Sequence, residues 1–194
     1  VHEVERVADM VAVINAGRLL ACAPLDELKA RTRRVLVRGD STLADLHRVI
    51  QVTMGWDGYH LHEFEVGGRC YGELDPDWET QDVEDEAEMR LDQIVTGEGF
   101  KMGYLYDFGD NWEHALLVEK VLPLDPQQTY PVCIKGRGAA PPEDVGGVWG
   151  YTEFVRALGD PDHPEYQDYL NWWGDDDFDP AAFDIETVNA ALQG

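Results

Sequence analysis

A chain of 194 residues can enclose one principal core, and its 44% apolar and 10% aromatic content can fill it, so the mean hydropathy of −0.38 reflects acidic decoration and not wholesale disorder. Its 39 acidic against 15 basic residues give a net charge of −24, which argues against the clustered Lys and Arg needed to grip a phosphate backbone; direct nucleic-acid binding is disfavoured. Such a charge fits a protein partner with a basic surface, divalent cations, or a plain solvated acidic face. Cys22, Cys70 and Cys133 are widely spaced and form no CxxC pair, so neither a disulfide framework nor a zinc knuckle is indicated. With no apolar run of ~20 residues and no leader pattern, the expectation is a cytoplasmic protein without a membrane segment.

Charge divides the chain unevenly. Residues 1–37 hold five acidic and six basic residues, and the remainder holds 34 acidic against nine basic. Residues 1–10 read as the end of a helix, 11–15 and 18–22 as short strands joined at Ala16-Gly17, and 24–33 as a helix. A strand is expected over 34–38, followed by a helix capped by Ser41 or Thr42, with Leu43, Leu46, Val49, Ile50 and Met54 on one face and Gly55 ending it. Alternation over 61–66, the pair Gly67-Gly68 and a return strand over 69–72 predict a hairpin. Residues 73–88, with nine Asp or Glu, read as a mobile acidic connector.

The strongest local signal is a central hairpin over about 100–121. Met102, Tyr104, Tyr106 and Phe108 alternate on one face, Trp112, His114, Leu116 and Val118 on one face of the next strand, and Gly109-Asp110-Asn111 makes the turn. Residues 130–142 read as irregular, 143–150 as an acidic and then glycine-rich loop, and helices are expected over 151–158, near 164–172 and near 185–192. The fold class is therefore α+β: a mixed or antiparallel sheet with the central hairpin packed by helices, and a helical C-terminal part.

Two resemblances attach to these segments. HEVERVADMVAVINAGRLLACAPLDELKAR (2–31) looks like the end of an ABC-transporter ATP-binding domain, with His2 at the place of the histidine that contacts the nucleotide γ-phosphate. The chain has no GxxxxGK[ST] loop, no LSGGQ-like signature and no strand ending in Asp-Glu before His2, so no ATP is expected to bind. From residue 33 onward, TLADLHRVIQVTMGWDGYHLHEF, YLYDFGDNWEHALLVE, PPEDVGGVWGY and FDPAAFDIETVN, in that order, resemble the plasmid pRiA Orf-three-like family. The expected organisation is thus a remnant over 1–32 and that domain over 33–194. The resemblance implies an α+β fold, bacterial origin, and a plasmid or mobile-element setting in which members carry the label resolvase. Relatives open with a strand ending in Pro-x-Trp-Arg-Arg, of which Thr32-Arg33-Arg34 keeps only the tail; residues 11–22 either supply a substitute strand or leave an exposed sheet edge.

Three chemistries compete. Asp107, Asp110 and His114, with His60, His62, Glu143 and Asp144, are the ligand types a divalent-metal hydrolase or nuclease would need. Against it, Asp107 and Asp110 suit Asx-type turn bonds, His114 suits a core position, and the paired faces of His60 and His62 suit an ordinary hairpin. A serine recombinase would need a nucleophile among several arginines, yet Ser41 is the only serine and sits as a helix cap. The third reading is a binding module: Trp56, Tyr104, Tyr106, Trp112 and Trp149, with Trp172 and Trp173, offer aromatic anchors, and Glu143 and Asp144 an acidic rim. The sequence favours this last reading, a non-catalytic acidic accessory or binding protein without a required cofactor. The metal-dependent hydrolase using Asp107, Asp110 and His114 is the alternative.

Overall fold

The computed structural model describes residues 8–16 (backbone only), 32–74, 82–174 and 178–194. Among the described residues eight strands form one sheet: β1 Ala8–Ala16, β2 Thr32–Arg38, β3 His62–Val66, β4 Arg69–Gly72, β5 Val83–Asp85, β6 Lys101–Tyr106, β7 Trp112–Pro123 and β8 Val132–Arg137. Their order is β5-β4-β3-β6-β7-β1-β2-β8, with every neighbouring pair antiparallel except β4 and β5. Among the described residues the helices are α1 Leu43–Met54, α2 Leu91–Ile94, α3 Gly147–Leu158, α4 Tyr166–Trp173 and α5 Ile185–Gln193.

One face of the sheet carries the core. On β7, Trp112, His114, Leu116 and Val118 are buried while Glu113 and Ala115 are exposed, and on β6 Met102, Tyr104 and Tyr106 point the same way inward. This is the one-sided burial expected of an antiparallel sheet with helices on one face. Helix α1 forms where the pattern predicts it: Thr42 and Asp45 make a reciprocal capping box, and Gly55 closes the other end at φ 69°. Leu43, Leu46 and Ile50 of α1 and Phe154 of α3 are almost fully enclosed.

The far end of the sheet is fastened by polar groups. Arg33, 3% exposed, donates to the carbonyls of Thr53, Arg137 and Gly138 at 2.7–2.9 Å, and its guanidinium lies 4.3 Å above the Phe183 ring. A Cβ on Gly136 would stand 2.1 Å from that ring, so only glycine lets β8 pass beneath it. Asn189 of α5 extends the ladder by accepting from the Cys133 N–H at 2.7 Å and donating to the Cys133 carbonyl at 2.9 Å.

Several expectations need correction. Residues 8–10 are strand and not helix, and β1 continues through Ala16, pairing with β2 on one side and β7 on the other. The hairpin expected at 16–17, the strand at 18–22, the helix of 24–33 as far as residue 31, and His2 lie outside the described residues. Backbone pairing overrides local pattern in three further places. The stretch 130–142 contains β8, the acidic connector contains β5, and Phe108 leaves the aromatic row because β6 ends at Tyr106. Phe108 is 53% exposed. Helix α3 begins four residues before the expected Tyr151, since Gly147 can adopt φ 65° against Asp110, where a Cβ would meet the Asp110 carbonyl at 2.5 Å.

Arg33→Lys should lower stability by about 2–4 kcal/mol, because one ammonium cannot reach the carbonyls of Thr53, Arg137 and Gly138 together and loses the planar stack on Phe183. Urea unfolding should show a lower midpoint at unchanged m-value; an unchanged midpoint would refute this role.

Candidate functional site

The inward residues of β3, β6 and β7 form two rows across the sheet. Register places His62 beside Tyr106 beside Trp112, and Phe64 beside Tyr104 beside His114. Helix α1 lies over them with His47 and Gln51 four residues apart, hence on one helical face. The Tyr104 hydroxyl is 2.8 Å from His47 Nδ1 and accepts from Gln51 Nε2 at 2.8 Å; with that donor in place its own proton goes to His47. Burial pushes the Tyr104 phenol well above its usual range and draws His47 down to about 3, aided by the charges of His62 and Arg48. His47 in turn stacks on His62, ring centres 3.5 Å apart and 11° from parallel, and His62 Nε2 lies 2.8 Å from Glu86 Oε2. Glu86, assigned from sequence to a solvated connector, is 5% exposed.

His114 is enclosed between Trp56 and Tyr104, at 5.5 and 5.6 Å between ring centres, and neither ring nitrogen has a hydrogen-bond partner among the described residues. Burial alone holds its pKa down to about 4. Next to it a clamp forms. Trp56 stacks on Tyr106 at 4.8 Å and donates to the Pro141 carbonyl at 2.8 Å. The Tyr106 hydroxyl donates to Glu143 Oε1, and Glu143 Oε2 accepts from the Asp57 N–H at 2.9 Å. Burial first, and then the Glu143 carboxylate, raises the Tyr106 phenol.

At the tip of the hairpin the sequence candidates separate. Asp107, at φ 55°, accepts from the Gly109 N–H at 2.8 Å through Oδ1, and Asp110 Oδ2 accepts from the Gly146 N–H at 3.1 Å. His60 precedes β3 and turns away from His62: its Nε2 is 3.1 Å from Asp144 Oδ1 and 3.7 Å from Asp107 Oδ2. The structure thus brings Asp107, Asp144 and His60 together. Asp110 lies in a turn contact, His114 in the core and His62 against Glu86. Trp149 is 61% exposed on α3. Beside the clamp opens a cleft of about 720 Å³, lined in part by Asp57, Glu143, Trp172, Trp173, Phe178 and Asp179. None of its described lining residues is Lys or Arg.

The paired polar residues His47 and Gln51 were detectable as two polar positions on an otherwise apolar helix face. Glu86 carried no such signal, since its burial depends on β5 pairing with β4.

The model of the family described as Plasmid pRiA4b ORF-3-like protein matches residues 25–187. The chain belongs to the plasmid pRiA4b ORF-3-like family. One relative is the uncharacterized protein y4hQ of Sinorhizobium fredii (strain NBRC 101917 / NGR234), 40% identical over 161 residues, covering 82% of each chain. Another similar chain is the crystal structure of a protein of unknown function, MM3350 from Methanosarcina mazei Go1, with TM-score 0.77 and 34% identity over 93% of this chain and 97% of that one. In this pRiA4b ORF-3-like chain no helix of the described residues is long and apolar enough to cross a membrane.

The buried histidine sets a pH dependence. His114 has a folded pKa near 4, below its unfolded value of about 6.5, so as pH falls the unfolded chain takes up the proton first. Its contribution is fully present above about pH 6.5 and is lost progressively as pH falls towards 4, by about 3 kcal/mol in total. Urea midpoints measured between pH 7 and pH 4 should fall more steeply for the native chain than for His114→Leu; parallel slopes would overturn this.

Proposed function

We propose that the protein is a non-catalytic acidic binding protein that takes a Lys- and Arg-bearing segment of a partner protein into the cleft beside the Trp56–Tyr106–Glu143 clamp. The observation that carries this reading is the lining of that cleft: Trp172 and Trp173 are half-exposed, and the charged groups beside them are Asp57, Glu143 and Asp179. An indole face next to carboxylates suits a guanidinium or ammonium group, which gains both cation–π attraction and charge pairing. The wall is also firm. Glu143 is held by Tyr106 and the Asp57 N–H, and Trp173 rests edge-on against Phe178 at 5.5 Å, so little side-chain freedom is lost on binding. A plasmid or mobile-element setting, and a cytoplasmic location, belong to the same reading. So does the role of the N-terminal stretch: β1 sits between β2 and β7, which supports its serving as a sheet strand and not as part of a nucleotide site.

The hydrolase alternative on Asp107, Asp110 and His114 draws less support. One oxygen of each carboxylate is engaged by a backbone N–H, and His114 is 4% exposed, out of reach of a substrate.

Titration with a fluorescent Lys- and Arg-rich peptide should give saturable binding that weakens as salt rises. Trp172→Ala and Asp57→Asn should each weaken it about tenfold, whereas neutralising the exposed, distant-in-sequence Glu88 as Glu88→Gln should change it little. If Glu88→Gln and Trp172→Ala weaken the peptide equally, attraction is a diffuse effect of net charge and the cleft assignment is wrong.

A further inference from the structure

We infer that His60, Asp107 and Asp144 form a binding site for one first-row divalent transition ion, such as Zn²⁺ or Mn²⁺. The three come from separate pieces of chain: the segment before β3, the tip of the β6–β7 hairpin, and the loop that leads into α3. One imidazole nitrogen and one oxygen from each carboxylate lie within 4.8 Å of one another, the spacing of atoms that surround a shared ion. A mixed imidazole and carboxylate set suits Zn²⁺ or Mn²⁺ better than Ca²⁺, which takes oxygen ligands.

Two features separate this group from a chance surface pair. First, His60 Nε2 is enclosed and has no hydrogen-bond partner among the described residues, although Asp144 Oδ1 is only 3.1 Å away. The carboxylate is near but out of line with the ring nitrogen, as it is when the nitrogen lone pair is directed at an ion and the carboxylate flanks it. Second, Asp107 is 7% exposed, and among the described residues only its Oδ1 accepts a hydrogen bond. Oδ1 is fixed by the Gly109 N–H, while Oδ2 faces His60 Nε2 at 3.7 Å, beyond hydrogen-bond range. Among the described residues the ion-pairing group that faces this oxygen is His60, so a cation held between the two would serve both. The Gly109 bond also orients Asp107, as outer partners orient metal ligands. Asp144 is 70% exposed in its side chain, which provides an entry path. With three protein ligands, coordination positions remain for water or for a group from outside.

The site differs from the peptide cleft, and its test is independent of it. The full chain, stripped with chelator and dialysed against Zn²⁺ or Mn²⁺, should retain one ion per chain by elemental analysis, and its thermal midpoint should rise with ion concentration. Asp144→Asn, a near-isosteric change at an exposed position, should weaken retention at least about tenfold while leaving the ion-free midpoint unchanged. His60→Gln should do the same. Co²⁺ loaded in place of the ion should give a visible absorption band that both variants lose. His163→Ala, which removes the other grouping of Glu153, His163 and Glu165, should retain the ion. No retention by the native chain, or retention and midpoint shift undiminished in Asp144→Asn, would overturn the assignment; loss in His163→Ala alone would move the ion to the other grouping and overturn it equally.

Discussion

The structure depends on partners found for the polar tips of four rings in a buried aromatic face, where neighbouring His114 has none among the described residues. Tyr104, Tyr106, Trp56 and His62 supply the bulk of the inner wall, yet each ends in a group that loses water on folding and must be matched. The partners come from different parts of the chain: His47 and Gln51 from α1, Glu143 and Pro141 from the loop before α3, and Glu86 from just after β5. Apolar packing alone would allow α1 to slide over the sheet, because hydrophobic contact is not directional. The hydroxyl of Tyr104, held from two sides by residues one helical turn apart, fixes both rotation and height. The same requirement brings loop 139–143 against Trp56 and Tyr106, which builds the wall of the cleft.

Local pattern was enough where the physics is local. The α1 helix, its cap and its glycine stop follow from Thr42, Asp45 and Gly55, and the β3–β4 and β6–β7 hairpins follow from alternation and turn residues. The pattern failed where a segment's conformation depends on a distant neighbour. Strand β8 has mixed burial and glycine in its sequence, and becomes a strand because β2 presents an unpaired edge and Asn189 completes its ladder. Residues 83–85 lie in an acidic stretch, yet they pair in parallel with β4 and bring Glu86 to His62. Phe108 kept the alternation on paper but lies past the last ladder residue.

The candidate site was readable to a similar extent. Residue type singled out Asp107, Asp144 and His60, but not their grouping, since they come from three segments that only the folded sheet brings together. Period-two spacing put His60 with His62; the strand begins at His62, so that rule does not reach His60. The acidic balance was visible in the sequence by segment but not by place in space. In the fold it becomes local, with Glu86 drawn inside, Glu143 built into a wall, and Asp57 and Asp179 left facing an open cleft.

Strand β1 lies outside the residues matched by the family model, yet it occupies an interior place in the sheet. Its hydrogen bonds to β2 and β7 are made by main-chain groups, which every residue but proline carries in full. A sheet position of this kind is therefore a vacancy defined by length and direction more than by side-chain identity. Stretches of quite different ancestry can fill it, so divergence ahead of Thr32 between such chains need not disturb the architecture behind it.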